Sequence, residues 1–201
     1  MINYRYFDWK EEFAIQGNKL PHIEQQGVMQ FVTWRLSDSL PSEAISVLRT
    51  KPPTSDSSPS ALWIYRIRRM QYVERVLANG YGSCILKDSR LRSLVCDTLH
   101  FNDGKFYALG AYVVMPNHIH VLFVCESDVQ ALSTVRSWKR YSSLQINSAL
   151  KKGGSLWQSD NFDRAIRSLA HLQNTIRYIR NNPRHLPSSD YTLWVNPSLN
   201  M

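Results

Sequence analysis

Apolar and polar positions alternate along residues 27–36, GVMQFVTWRL, a run rich in Val, Phe, Thr and Trp that predicts a strand. Pro41 suits the start of a short helix over 42–49. The Pro- and Ser-rich KPPTSDSSPS at 51–60 reads as a loop, and residues 61–80 read as a helix ending at Asn79-Gly80. Asp88 is placed to cap a helix whose Leu91, Leu94, Val95 and Leu99 share one face. Two apolar runs, KFYALGAYVVM at 105–115 and HIHVLFVC at 118–125, predict an antiparallel hairpin closed tightly at Pro116-Asn117. Asp128 is placed to cap a long helix reaching about residue 150, with Gly153-Gly154 ending it. The stretch 155–167 crosses back, with a strand at its end. A final helix over 168–182 stops at Pro183. Its Leu169, Leu172, Ile176 and Ile179 recur at spacings of three and four, which marks the packed face.

This order mixes strands and helices without strict alternation. It predicts an α+β domain: an antiparallel sheet with helices packed on it. Residues 1–26 read as an N-terminal arm, 27–186 as the domain with a helical insertion at about 41–101, and 187–201 as a C-terminal tail. The tail's Tyr191 and Trp194 can dock on the body, or the end can stay unstructured.

The 201 residues and 43% apolar content suit a single domain with a real core. The apolar run at 121–125 is far too short to span a bilayer, and the N-terminus lacks a signal peptide's apolar segment. Three cysteines without C-x-x-C spacing point to neither a zinc knuckle nor a disulfide framework. The expectation is a cytoplasmic, nucleoid-associated protein. The net charge of +8 is concentrated. Ten Lys and Arg fall between residues 129 and 186, opposed only by Asp160 and Asp163. Trp138, Tyr141, Trp157, Phe162 and Tyr178 are interleaved with them, a combination that suits phosphates and bases. Candidate phosphate contacts are Arg66, Arg68, Arg69, Arg136, Lys139, Arg140, Lys151, Lys152, Arg177 and Arg180.

His118 and His120 interrupt the apolar strand. On a strand they share a face, about 6.6 Å apart at roughly 3.3 Å per residue, and Ile119 and Val121 turn to the core on the other. Two neutral imidazoles so placed can chelate a divalent ion. Two histidines on a wet sheet face is the competing explanation. The last helix offers a second element: His171, Thr175, Tyr178 and Asn182 form a stripe beside its packed face, with Tyr178 and Asn182 one turn apart. A deprotonated tyrosine can attack phosphorus, and an amide oxygen can ligate a hard cation.

These residues together resemble a known superfamily. HIH flanked by apolar residues matches the His-hydrophobe-His motif of the HUH endonucleases, and the late tyrosine in RYIRNNP resembles the single-tyrosine transposases. Within them the chain is similar to the REP-associated tyrosine transposases. The matching segments are FVTWRLSDSLP, YGSCIL, YVVMPNHIHVLF, SWKRYSSLQIN, LWQSDNFDRAIR and HLQNTIRYIRNNP, in order over about three quarters of the chain. The resemblance implies a ferredoxin- or RRM-like antiparallel sheet with helices on one side. It implies cleavage and strand transfer of single-stranded DNA beside a REP-type hairpin, through a 5′-phosphotyrosine. Tyr178 becomes the nucleophile, and His118, His120 and Asn182 the ligands of Mg²⁺ or Mn²⁺. The chain acts as a monomer or homodimer, and no membrane is involved. After Asn182-Pro183 the family continues with a small-residue turn, where this chain has Arg184-His185-Leu186-Pro187.

Tyr141 in SWKRYSS is the rival tyrosine. Asp163 reads as a structural residue beside Arg164. Two other functions fit parts of the pattern. One is a non-catalytic hairpin-binding module of the same fold. The other is a water-using metal hydrolase, which calls for more carboxylates around an ion than the sequence displays.

Overall fold

The computed structural model describes residues 2–16, 22–49, 59–126 and 128–199, without the side chains of residues 16, 49, 59–64, 66 and 67. Among the described residues the chain runs through β1 (Ala14–Gln16), β2 (His22–Glu24), β3 (Gln30–Arg35), α1 (Ser42–Arg49), α2 (Pro59–Ala78), α3 (Ser89–His100), β4 (Tyr107–Val114), β5 (His118–Cys125), α4 (Ala131–Leu150), β6 (Phe162–Ala165), α5 (Leu169–Asn181) and β7 (Thr192–Val195). The loop expected at 51–60 lies outside the described residues up to 58, and Pro59 already begins α2.

A five-stranded antiparallel sheet in the order β6-β3-β5-β4-β7 forms the centre. β5 is the middle strand, paired with β3 on one side and β4 on the other. The β4–β5 hairpin closes as the sequence predicts, Met115 N–H donating to His118 O at 2.9 Å across Pro116-Asn117.

Helices cover both faces of the sheet, where the family resemblance implies one. On one face, α3 and α4 pack Leu91, Val95, Val135 and Trp138 onto Val32, Trp34, Ile119, Val121 and Phe123. On the other, α5 packs Leu172, Ile176 and Ile179 onto Phe31, Val113, Leu122 and Val124. Leu169, expected on this packed face, is exposed at the start of α5. α1 and α2 form a helical pair of their own around Leu40, Ala44 and Leu77. α2 ends as expected, with Gly80 in the left-handed region. Gly82 follows at φ 90, and a Cβ there would lie 2.6 Å from Asp38 O, so only glycine fits.

Two caps differ in outcome. Asp88 accepts from Arg90 N–H at 2.9 Å and starts α3 as predicted. Asp128 does not cap α4: it sits at φ 67, Gln130 takes the N-cap position, and the Ala131 N–H donates to the Glu24 carboxylate from β2. A tertiary acceptor has replaced the local one. At the other end Lys151, in the left-handed conformation, closes α4 two residues before the glycine pair.

The terminal segments join the body. Phe7 is buried and its N–H donates to Ile166 O at 2.9 Å, while β1 and β2 pair as a small hairpin. The tail docks rather than dangling: β7 pairs with the outer edge of β4, away from β5, and Trp194 stacks on Tyr112 at 5.5 Å. Arg92 of α3 clamps it. This guanidinium, 5% exposed, donates to Leu86 O (2.8 Å), Lys87 O (3.0 Å), Ser189 O (2.7 Å) and Thr192 Oγ1 (2.9 Å).

Removing the clamp leaves buried acceptors without donors. Arg92→Met is expected to cost roughly 3 kcal/mol in urea unfolding and to make residues beyond 187 more sensitive to protease. A loss smaller than about 0.5 kcal/mol, the range of an ordinary surface change, would show that the clamp does not hold the tail.

Candidate metal and nucleophile site

β5 buries its histidines instead of presenting them to water. His118 and His120 are 2% and 0% exposed, because α5 covers the face they share. The wet sheet face that competes with a chelate in the sequence is absent at these two positions. Burial disfavours the imidazolium, and both pKa values are pushed down from 6.5 to about 3; for His118 the neighbouring His120 adds to the effect. Both rings are therefore neutral at pH 7, the form that binds a metal.

Each ring is oriented through Nδ1. His118 Nδ1 lies 2.8 Å from Asn117 Oδ1, and His120 Nδ1 lies 2.7 Å from Thr33 Oγ1, its cross-strand neighbour on β3. Phe31 stacks on the His120 ring at 5.6 Å. Both Nε2 atoms face the place where α2 and α5 meet. Glu74 of α2 brings a carboxylate there, with Oε2 3.7 Å from His120 Nε2. One ligand atom each from Glu74, His118 and His120 lie within 4.8 Å of one another.

α5 supplies the remaining groups. The Tyr178 hydroxyl donates to Glu74 Oε2 at 2.5 Å and lies 3.5 Å from His120 Nε2. Asn182, one turn on, has Nδ2 3.2 Å from the same Nε2. Tyr178 is 37% exposed as a residue, with its hydroxyl turned inward against Glu74 and His120. That burial, the Glu74 charge and the Glu74 hydrogen bond raise its pKa well above the ordinary phenol value. In this arrangement the proton is held on the phenol.

The donor set fits a divalent cation. His118 Nε2 is a buried lone pair with no hydrogen-bond partner, which native interiors rarely tolerate without a ligand. Two imidazole nitrogens and one carboxylate form a mixed set that Mn²⁺ accepts readily and Mg²⁺ less so. A carboxylate, Glu74, joins the two histidines as a possible donor, and Asn182, the third ligand expected from the sequence, stands beside them with an amide nitrogen turned to His120. Turning that amide by 180° presents Oδ1 instead, an acceptor suited to the cation.

Reading the sequence missed Glu74 because it is one acid in a basic helix, RIRRMQYVERV, with no motif around it. Arg164 was also passed over; it reaches Met70 Sδ at 3.4 Å and lies close enough to Tyr178 to favour the phenolate. The predicted cations are not gathered here. Arg136, Lys139 and Arg140 line a groove with Trp157 and Ser159 on α4, on the sheet face opposite the histidines. Lys139 donates to Ser159 O at 2.7 Å, and burial pushes its pKa down to about 8. Arg177 and Arg180 lie on the exposed side of α5, and Lys151 and Lys152 at the exposed end of α4. Arg68 is exposed, Arg69 donates to Tyr65 Oη at 3.1 Å, and the Arg66 side chain lies outside the described residues. Tyr141 is exposed on α4, on the wrong face to meet the histidines.

The neutral histidines leave a pH signature. Their folded pKa values are depressed, so their stabilising contribution is complete above about pH 6.5 and is lost as pH falls toward about 3, while the unfolded chain takes up protons that the folded chain refuses. Unfolding free energy measured between about pH 5 and pH 7 is expected to fall more steeply with acid in the wild type than in His118→Gln/His120→Gln. Equal slopes would contradict buried neutral rings.

Residues 81–182, half of the chain, match the family model described as Transposase IS200 like. No curated protein matches. Among solved structures, a REP-associated tyrosine transposase bound to a REP hairpin is 18% identical over 84% of this chain and 74% of that one, with a TM-score of 0.47. A protein provisionally named a transposase, from Deinococcus radiodurans R1, is 17% identical over 83% of this chain and 96% of that one, with a TM-score of 0.38. The family match spans His118, His120, Tyr178 and Asn182 and stops short of Glu74. On that match the chain belongs to the IS200-like transposase family.

Proposed function

We propose that this transposase-family chain cuts and rejoins single-stranded DNA beside a hairpin of the REP-palindrome type, through a covalent 5′-phosphotyrosine on Tyr178. The observation that carries the reading is the convergence of the Tyr178 hydroxyl, the two buried imidazoles of His118 and His120 and the Glu74 carboxylate at one spot. His118, His120 and Glu74, with Asn182 beside them, would hold a Mn²⁺ or Mg²⁺ ion, which would supply charge to offset that developing on the scissile phosphate.

The chain's own residues do the rest. Tyr178 Oη forms a bond to phosphorus in line with the P–O3′ bond that breaks, and the 3′-oxygen leaves, taking a proton from water to become a hydroxyl. The phenol's proton departs along the hydrogen bond to Glu74 Oε2. The phosphotyrosine conserves the ester bond, so a second 3′-hydroxyl can reverse the step onto a new strand. His118, His120, Glu74 and Tyr178 meet within one chain, so the proposed site is complete in a monomer. The α4 groove lies on the far face of the sheet, and Arg136 and Arg140 there act on DNA away from the cut. A non-catalytic hairpin-binding module is the second reading, favoured by the firmly held Tyr178 proton.

Labelled single-stranded hairpin DNA incubated with Mn²⁺ is expected to yield a protein–DNA adduct stable on a denaturing gel. Tyr178→Phe is expected to bind DNA and form none. Glu74→Gln is expected to slow adduct formation by roughly 10- to 100-fold, as for a weakened metal site. An adduct that persists in Tyr178→Phe sinks the nucleophile assignment. Binding without cleavage by the wild type favours the module, and cleavage without adduct favours a water-using hydrolase.

A further inference from the structure

We infer that Asn117 is the positioning residue that assembles the site: one amide fixes His118 in the tautomer with a bare Nε2 and docks the helix that carries Glu74. The last link, Glu74 as a ligand, rests on the function proposed above. The tautomer does not.

The argument runs through donors and acceptors. Asn117 Nδ2 lies 3.2 Å from Leu77 O and 3.1 Å from Tyr81 O. Carbonyl oxygens only accept, so the amide nitrogen must face them and spends both hydrogens there. Oδ1 is thereby turned to His118 Nδ1 at 2.8 Å. An amide oxygen only accepts, so Nδ1 carries the proton. A neutral imidazole has one N–H, and His118 Nε2 is left as a bare lone pair. That nitrogen is buried and makes no hydrogen bond among the described residues. The orientation of Asn117 is thus dictated from its far side, by two groups that cannot reverse their roles.

His120 has no such device. Its Nδ1 meets the Thr33 hydroxyl at 2.7 Å, and a hydroxyl donates or accepts. The tautomer lock is specific to His118.

Asn117 is itself held rigidly. It is 1% exposed, follows Pro116 in the hairpin turn, and its carbonyl accepts the Leu36 N–H at 2.9 Å. Leu77 lies three residues beyond Glu74, nearly one helical turn, and Tyr81 lies just past the end of α2. The same amide therefore joins the terminal carbonyls of α2 to the tip of the β4–β5 hairpin. His118 acquires its lone pair and α2 acquires its seat in one event. A residue that only capped α2 would stabilise the fold without touching the histidine tautomer.

That difference is measurable in the full chain without DNA or activity. Long-range ¹H–¹⁵N NMR of ¹⁵N-histidine-labelled, metal-free protein at neutral pH reads the His118 tautomer, and electron paramagnetic resonance of free Mn²⁺ reads cation affinity. The wild type is expected to show His118 wholly as the Nδ1–H form. Asn117→Ala is expected to mix in the Nε2–H form and to weaken Mn²⁺ binding by roughly 10- to 100-fold, the usual scale for groups that orient a metal-binding histidine. Asn117→Asp keeps an acceptor facing Nδ1 but has no hydrogens for Leu77 and Tyr81. It is expected to keep the Nδ1–H form while lowering Tm, and it carries the test if Asn117→Ala does not fold. A His118 that remains purely Nδ1–H in Asn117→Ala, or loses that form in Asn117→Asp, overturns the inference. A wild type that binds no Mn²⁺ yet shows the Nδ1–H form overturns the cation reading instead.

Discussion

Two imidazoles buried in the middle of a sheet set the terms for the rest of this fold. β5 is paired on both edges and covered on both faces, so His118 and His120 have no water to satisfy them. Each ring is neutral, with one N–H and one lone pair to be placed. Thr33 and Asn117 take the Nδ1 atoms, and both Nε2 atoms are left facing one point. A buried lone pair is costly unless something comes to meet it. Two helices remote in sequence from each other converge there, α2 with a carboxylate and α5 with a phenol and an amide.

Much of this frame is legible in the sequence, because periodicity reports which face of an element meets other protein. The β4–β5 hairpin, α3 with its Asp88 cap and the apolar stripe of α5 all follow from local pattern. So does the pairing of the two histidines on one face. What local pattern cannot report is what covers that face. An alternating strand with histidines outward looks half-solvated, and only the arrival of α5 makes the position dry. The same blindness accounts for α4: Asp128 is the better local cap, but Glu24 reaches the Ala131 N–H from more than a hundred residues away. β7 was hidden for a related reason, since four residues of TLWV between prolines carry little signal until the free edge of β4 gives them hydrogen bonds.

Glu74 is the clearest case. Among the cations of α2 its charge reads as ordinary helix-surface pairing. Its role arises because Leu77 and Tyr81, just beyond it, are bonded to the hairpin turn, and that contact is tertiary. The family match begins at residue 81, after Glu74, and contains the turn that anchors its helix. The carboxylate thus enters the site from a helix outside the matched span, seated by an amide within it.

One carboxylate oxygen then faces two claims. Glu74 Oε2 accepts the Tyr178 hydroxyl and is also the atom nearest His120 Nε2. While its charge is unopposed, it holds the phenol's proton, charge and hydrogen bond both acting in the same direction as burial. Under the proposed function, a cation held by that carboxylate would draw down the charge that raises the phenol's pKa, and would so weaken the grip on the proton without any movement of α5. The phenol and the candidate metal donors are coupled through a single acidic side chain.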